Sequence, residues 1–390
     1  SDKLRIAPLP LMARSEEGHL AHRIYEVEPS INPEENDADN LPEQQARTKR
    51  RTRAASLEHI PDEFLVEVHV MVDEHHYTVF DRREDLVTYL ALTISLVNMR
   101  YEDTSVPKIQ FLLTSIQQEQ GFAKTFVEKE INWLVANRTY AAANETFDHL
   151  LEKYGRSPAD ITVAVTGLIL ADALEPFSED EIRVQGQARL GGVCNANSSI
   201  VMVEDVPMSF GMVSLLPHEL GHALGAPHDG ETYLWNNCLP PRNDCSKNRK
   251  DNHFIMHTSE PGNGKFSNCS KEHMTAFIST LSRSCFKLKT KQNCTTKEKK
   301  LPGVSVNLTR ICKIAHPNFL KWKVSDEKKS DCHFQCCSPR PNNTDEYAYD
   351  TCAKHPLPDG ADCGRRKRCV KGTCGYYDKY GAPATPQQGA

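Results

Sequence analysis

Residues 217–230 read "PHELGHALGAPHDG", and this stretch decides how the chain must turn. His218 and His222 stand four residues apart, so on a helix their side chains share one face, one above the other. His228 comes six residues later. If the helix continued, His228 would lie about 15 Å along the axis from His218 at ~1.5 Å per residue. Ligands of one zinc ion sit only ~2.0 to 2.1 Å from it. The helix must therefore end and the chain fold back. Gly225 is where it can do so, because glycine takes positive φ at a helix C-terminus without steric cost. Pro227 blocks any resumption of the helix.

Three neutral imidazoles leave a tetrahedral zinc ion with one open position, the arrangement of a catalytic and not of a structural centre. A water in that position has its pKa lowered toward ~7. Glu219, beside the first histidine, is placed to take its proton as general base. These residues predict peptide hydrolysis without a covalent intermediate, with His218, His222 and His228 as metal ligands and Glu219 as base. Unrelated surface rings are the alternative in a chain with 16 histidines. The five fixed positions of H-E-x-x-H-x-x-G-x-x-H rarely coincide by chance, which favours the zinc site. Other histidines, among them His75, His76 and His333, are expected at the surface.

At 390 residues, with 39% hydrophobic and 25% charged residues, the chain has room for two globular domains. A net charge of -5 gives no reason to expect nucleic acid. The longest apolar run, "ITVAVTGLILADAL" at 161–174, is too short for a membrane span and contains Thr and Asp. The opening "SDKLRIAPLP" carries no methionine and no leader, so either a signal peptide has been removed or the chain begins partway through a longer precursor. All 14 cysteines follow residue 193, and nine fall between Cys294 and Cys374. That is about 11% of the stretch, above the ~8 to 10% that marks a disulfide scaffold. Sequons at Asn137, Asn144, Asn197, Asn268, Asn293, Asn307 and Asn342 point the same way. The chain is read as a secreted, extracellular glycoprotein.

Residues 1–53 combine the acidic "PEENDADNLPEQQ" with the basic "RTKRRTR" and are expected to pack poorly. From about residue 61 the pattern becomes globular. "FLVEVHVMVD" at 64–73 alternates Val66, Val68, Val70 and Val72, a strand with one buried side. Further strands are expected at 108–116, 160–167 and 198–205, and helices at 84–99, 126–137, 145–155 and about 271–281. Such alternation argues for an α/β sandwich with a mostly parallel sheet. A lysine-rich linker at 287–300 then marks a domain boundary. It leads to a cysteine-rich module at 301–376 and a tail at 377–390 expected to be disordered.

Four stretches carry a family likeness: "GQARLGGVCN" (186–195), "HELGHALGAPHD" (218–229), "FIMH" (254–257) and "KFSNCS" (265–270). Together they resemble the metzincin zinc metalloproteases. Within these the sequence is similar to the reprolysin or adamalysin branch, with its ADAM, ADAM-TS and venom members, and to secreted tick salivary metalloproteases. The resemblance implies a catalytic domain at 54–286, with Met256 as the Met-turn beneath the metal and a Cys194–Cys285 disulfide. It implies substrate binding along an edge strand at about Ala188 to Gly192. A calcium site of the branch would use Glu67 and Asp160, but Leu288 stands where its third ligand, an asparagine, belongs. Arg47-Thr48-Lys49-Arg50 resembles a proprotein-convertase site, which implies that residues 1–53 are the remnant of a zymogen propeptide. The stretch 357–375 resembles the cysteine-rich module of ADAM-TS proteases. There Arg365, Arg366, Lys367, Arg368 and Lys371 are candidates to meet a glycosaminoglycan or an acidic protein surface.

Two readings of different class follow. One is a secreted zinc endopeptidase acting on extracellular proteins, such as fibrinogen or matrix proteins of a host. The other is a catalytically inert binding or adhesion protein working through its cysteine-rich module. The intact Glu219 favours the first, because an inert scaffold has no chemical need of a base beside three ligands.

Overall fold

The computed structural model describes residues 4–8, 22–26, 60–128, 138–171, 184–231, 235, 254–257, 264–290, 300–316, 323–325, 329–338 and 351–385. The expected processing site at Arg47, Lys49 and Arg50 lies outside them. In the expected propeptide, β1 (Leu4–Pro8) and β2 (His22–Glu26) pair antiparallel.

The half that carries the histidine motif is built on a five-stranded sheet. Its strands are β3 (Glu63–Asp73), β4 (Lys108–Glu119), β7 (Ile161–Thr166), β9 (Gly186–Ala188) and β10 (Ile200–Glu204). The order across the sheet is β4-β3-β7-β10-β9. The first four run parallel, and β9 lies antiparallel on the edge. Val66, Val68, Val70 and Val72 pack in one cluster with α2 (Arg83–Tyr101), α4 (Met212–Ala223) and α5 (Asn268–Ile278). Met71, Ala164, Ile200 and Met202 face the other way, onto Phe147 and Leu150 of α3 (Ala143–Tyr154). The α/β sandwich predicted by the alternation is thus the fold.

Several local expectations are corrected. Strand β3 is buried on both sides, since a central strand of a parallel sheet is covered by helices on each face. Its polar residues are therefore hydrogen-bonded: His69 Nδ1 meets Ser115 Oγ at 2.7 Å, and Asp73 accepts the His76 and Gly167 N–H groups, both at 2.9 Å. The segment expected as a helix at 126–137 begins as a strand. β5 (Thr125–Glu128) pairs antiparallel with β6 (Arg138–Ala142), which pairs parallel with β8 (Ile169–Ala171), so tertiary pairing overrides local helix preference. His76 is fully buried and not at the surface. It sits in the single turn α1 (Glu74–Tyr77), capped by Asp73, which points it inward.

The carboxylates of Glu67 and Asp160 are met by this chain's own donors. Lys289 Nζ donates to Asp160 at 2.7 Å, and the Lys289 and Thr290 N–H groups donate to Glu67 at 2.8 and 2.7 Å. The first residues of the expected linker are thereby tied to the sheet.

The C-terminal module holds α6 (Leu308–Ala315) and a three-stranded sheet of β11 (Lys323–Ser325), β12 (His333–Ser338) and β13 (Thr351–Pro356). The short strands β14 (Asp362–Gly364), β15 (Lys367–Val370) and β16 (Thr373–Gly375) complete it. Eight cysteines pair within the module, as Cys312–Cys336, Cys332–Cys369, Cys337–Cys352 and Cys363–Cys374. Cys238, Cys245 and Cys294 lie outside the described residues. The tail expected to be disordered from 377 is ordered to 385: the Leu301 N–H donates to the Lys379 carbonyl at 3.0 Å, and Tyr377 bridges to Pro383 and packs with Leu301 and Val370.

The module is fastened to the five-stranded-sheet half through α2. The Arg100 guanidinium donates to the Asp359 carboxylate, with both side chains buried. Asp359 also accepts the Lys371 N–H at 2.9 Å, and Lys371 Nζ reaches Glu102 at 2.8 Å. Leu96, Val213, Leu301 and Val370 close around this contact. Removing one partner of a buried ion pair strands the other charge and costs roughly 3 to 5 kcal/mol. Arg100→Ala and Asp359→Ala should each lower the urea midpoint accordingly, and Arg100→Leu combined with Asp359→Leu should recover part of the loss.

Candidate metal centre

Helix α4 carries His218, Glu219 and His222 and ends as the sequence requires. Gly225 has φ +92°. The Gly225 N–H donates to the His222 carbonyl at 2.8 Å and the Ala226 N–H to the Gly221 carbonyl at 2.9 Å. This pair of bonds is a Schellman turn, which satisfies the helix's last carbonyls while reversing the chain. A Cβ on Gly225 would stand 2.4 Å from the Phe277 Cβ, so both conformation and packing demand glycine here.

The reversal brings the third histidine to the first two. His222 Nε2 lies 3.1 Å from His218 Nε2 and 3.2 Å from His228 Nε2. His218 Nδ1 meets the Ile255 carbonyl at 2.6 Å, and His222 Nδ1 meets the Ala226 carbonyl at 2.8 Å. A carbonyl only accepts, so both Nδ1 atoms carry the proton and both Nε2 atoms are bare lone pairs. Bare lone pairs facing one another at this distance repel and do not bond, and a cation between them removes the conflict. Burial pulls the His218 pKa down to about 3, with the nearby His228 adding to the effect, and it takes His222 well below its usual value. These two rings are thus neutral at physiological pH, the form in which an imidazole can hold a metal ion. Zinc fits this donor set, with its outer N–H groups anchored on backbone carbonyls.

Glu219 is buried on the same helix, and burial alone raises its pKa to about 8. A neighbouring dication favours the ionised form and so opposes that shift. Gly186 of β9 passes directly over Glu219: a Cβ there would stand 2.8 Å from the Glu219 Cγ. The edge strand is Gly186–Ala188, three residues long and earlier than the expected 188–192. Residues beyond it bend back onto α4 instead, the Gly191 N–H donating to the His222 carbonyl at 2.9 Å and the Val193 N–H to the Ala223 carbonyl at 3.1 Å.

Met256 is fully buried beneath the histidines, its sulfur 2.5 Å from where a Cβ on Gly221 would stand. The helix backbone and the methionine therefore fit only with glycine between them. Cys194 and Cys285 are joined, S–S 2.00 Å. Asp229, directly after the third ligand, accepts the Ser267 and Ser270 hydroxyls, the latter at 3.0 Å, while its N–H donates to the Met256 carbonyl at 2.9 Å. It ties the ligand loop, the Met256 turn and the start of α5 together.

One positioning group was not legible beforehand. Asp205, just past β10, accepts the Tyr89 hydroxyl at 2.7 Å, meets His76 Nε2 at 2.9 Å and accepts the Met212 N–H at 3.0 Å. It caps the start of α4 from outside the helix, where Gly211 offers no side chain. Its partners are 116 and 129 residues away in the chain, so no local pattern announces it. Gly225→Ala combines a strained φ with a clash and should lower stability by on the order of 2 kcal/mol, seen as a lower melting temperature and weaker zinc retention in dialysis.

Comparison with known proteins agrees with this geometry. Residues 176–280 match the family model described as Metallo-peptidase family M12B Reprolysin-like. The chain is 24% identical over 379 residues to "A disintegrin and metalloproteinase with thrombospondin motifs 16" of Mus musculus, covering 95% of this chain and 28% of that protein. It is 24% identical to "Venom metalloproteinase 3" of Eulophus pennicornis, covering 56% of this chain and 51% of the relative. It is 25% identical to "Venom metalloproteinase BumaMPs1" of Olivierus martensii, covering 71% and 67%. The chain thus spans less than a third of the first relative and about half of the second. The three histidine nitrogens facing one point, the glycine turn that delivers the third and the matched segment around them agree: residues 176–280 are similar to a reprolysin-like M12B metallopeptidase domain.

Proposed function

We propose that the chain is a secreted zinc endopeptidase that cleaves extended segments of extracellular proteins. The observation that carries this reading is the convergence of three histidine Nε2 atoms, those of His218 and His222 bare lone pairs, next to a buried carboxylate at the edge of a sheet. His218, His222 and His228 would hold zinc, which supplies Lewis acidity toward the scissile carbonyl and the attacking water. Glu219 takes a proton from that water at its carboxylate and passes it to the leaving amine nitrogen. Strand β9 offers its outer edge to the substrate backbone, so an extended peptide adds as a further strand beside Glu219. Backbone pairing of this kind tolerates many side chains. Fibrinogen and matrix proteins are the substrate class in view.

We also read residues 1–53 as a propeptide released after Arg50, 54–286 as the protease domain and 301–376 as an accessory module. Of the five cations considered for glycan or acidic-protein contact, Arg368 is occupied by the Gly360 carbonyl at 2.7 Å and Lys371 by Glu102. Arg365 and Arg366, exposed at the tip of the hairpin, carry that reading.

The test compares cleavage of a denatured protein and of fibrinogen by the form processed after Arg50. A zinc chelator should abolish activity, and Glu219→Gln should lower it by roughly 10²- to 10⁴-fold with zinc content unchanged. A zinc-loaded chain that cleaves neither substrate would sink the endopeptidase reading and turn attention to the module as a binding device. In the same assay Gly186→Ala, by displacing Glu219, should reduce kcat/KM at unchanged zinc stoichiometry.

A further inference from the structure

Outside the catalytic half, two more histidines are held face to face. His316 directly follows α6, and its N–H donates to the Cys312 carbonyl at 3.1 Å. His355 lies on β13, opposite Phe334 of β12 in the ladder, and its ring packs against Phe334 with centroids 5.5 Å apart. The Nε2 atoms of His316 and His355 stand 2.8 Å apart, with the rings at 68°. Both residues are half-buried.

The surrounding covalent frame fixes this approach. The Cys312–Cys336 bridge pins α6 to β12 one turn before His316, and the β12–β13 ladder fixes His355 relative to the same strand. The Cys336 sulfur lies within 4.8 Å of both ring nitrogens, but in the bridge it is no thiolate and offers no strong ligand. Two nitrogens bound at ~2.0 to 2.1 Å to one tetrahedral ion sit about 3.3 Å apart. The catalytic histidines, at 3.1 and 3.2 Å, are near that spacing, and the second pair needs to open by only about half an ångström. Side-chain rotation supplies this without moving the bridge.

We infer that His316 and His355 form a second transition-metal site, a two-histidine clamp on the cysteine-rich module. Imidazole pairs suit zinc and copper, with copper(II) the tighter of the two. Because only two protein ligands are present, this ion exchanges more readily than the catalytic one. The inference does not depend on the protease reading, since it uses no residue of that site.

Equilibrium dialysis of the full chain against zinc alone, at pH 7.5 and up to about 100 μM free metal, tests it. The expected result is two zinc ions per chain, one retained on brief washing and one lost. His316→Gln and His355→Gln should each remove the weaker ion while leaving peptide hydrolysis within about twofold. Zinc that both variants retain in full, whether one ion or two per chain, overturns the proposal. Should either variant fail to fold, anomalous diffraction from zinc-soaked crystals of the unmodified chain decides. A peak between the two Nε2 atoms supports the clamp, and a second peak elsewhere, or none, refutes it.

Discussion

Everything around His218, His222 and His228 depends on three ring nitrogens turned toward one point, two of them bare lone pairs. Left to themselves such groups repel, so the fold must supply the force that keeps them together. Part of it is the Schellman turn at Gly225, which converts an unfavourable chain reversal into two backbone hydrogen bonds. Part is the pair of carbonyls at Ile255 and Ala226, which hold the His218 and His222 rings in one tautomer. The rest is packing: Met256 and Phe277 fill the space that Gly221 and Gly225 leave open. The glycines are therefore as specific to the site as the histidines.

A second layer of buried polar groups extends that order outward. Asp205 holds the front of the ligand helix, Asp229 its exit loop, and Tyr101 donates to the Pro217 carbonyl at 2.9 Å within the helix. Each of these groups is buried and each is paired, so each constrains direction as well as distance. At the far end of the sheet, Lys289 and Thr290 meet the Glu67 and Asp160 carboxylates with one ammonium and two peptide N–H groups. In this chain that cluster fastens Lys289 and Thr290 to the sheet.

The metal centre was the most legible part of the sequence because its logic is local. Spacing of four gives one helical face, and glycine followed by proline gives the reversal; neither needs knowledge of distant residues. The sheet was legible for a similar reason, since Val66 to Val72 and the 160–167 run announce strands by composition. What escaped was set by partners far away in the chain. His76 reads as a surface residue until Asp205 is brought to it, and the 126–137 stretch reads as helix until β6 pairs with its start. The edge strand was placed too late because residues 189–193 bond to α4, a contact that no pattern in "GQARLGG" reveals. The tail from 377 looked unstructured by composition, yet Tyr377 supplies enough apolar contact to anchor it.

The docking of the module through Arg100 and Asp359 has a geometric meaning. Domains joined by small polar contacts move freely with respect to one another, and a tethered site then samples many separations from its neighbour. Here the joint is a buried ion pair ringed by apolar side chains, so the hairpin tip at Arg365 and Arg366 stands at one fixed offset from the histidine trio. A surface engaged at that tip raises the effective concentration of its own peptide at β9 only if the peptide lies at the matching span, because effective concentration vanishes when a tether cannot reach. On the function proposed above, the fold would act as a ruler, selecting by the distance between an anchoring surface and a cleavable segment, a criterion independent of the residues flanking the bond.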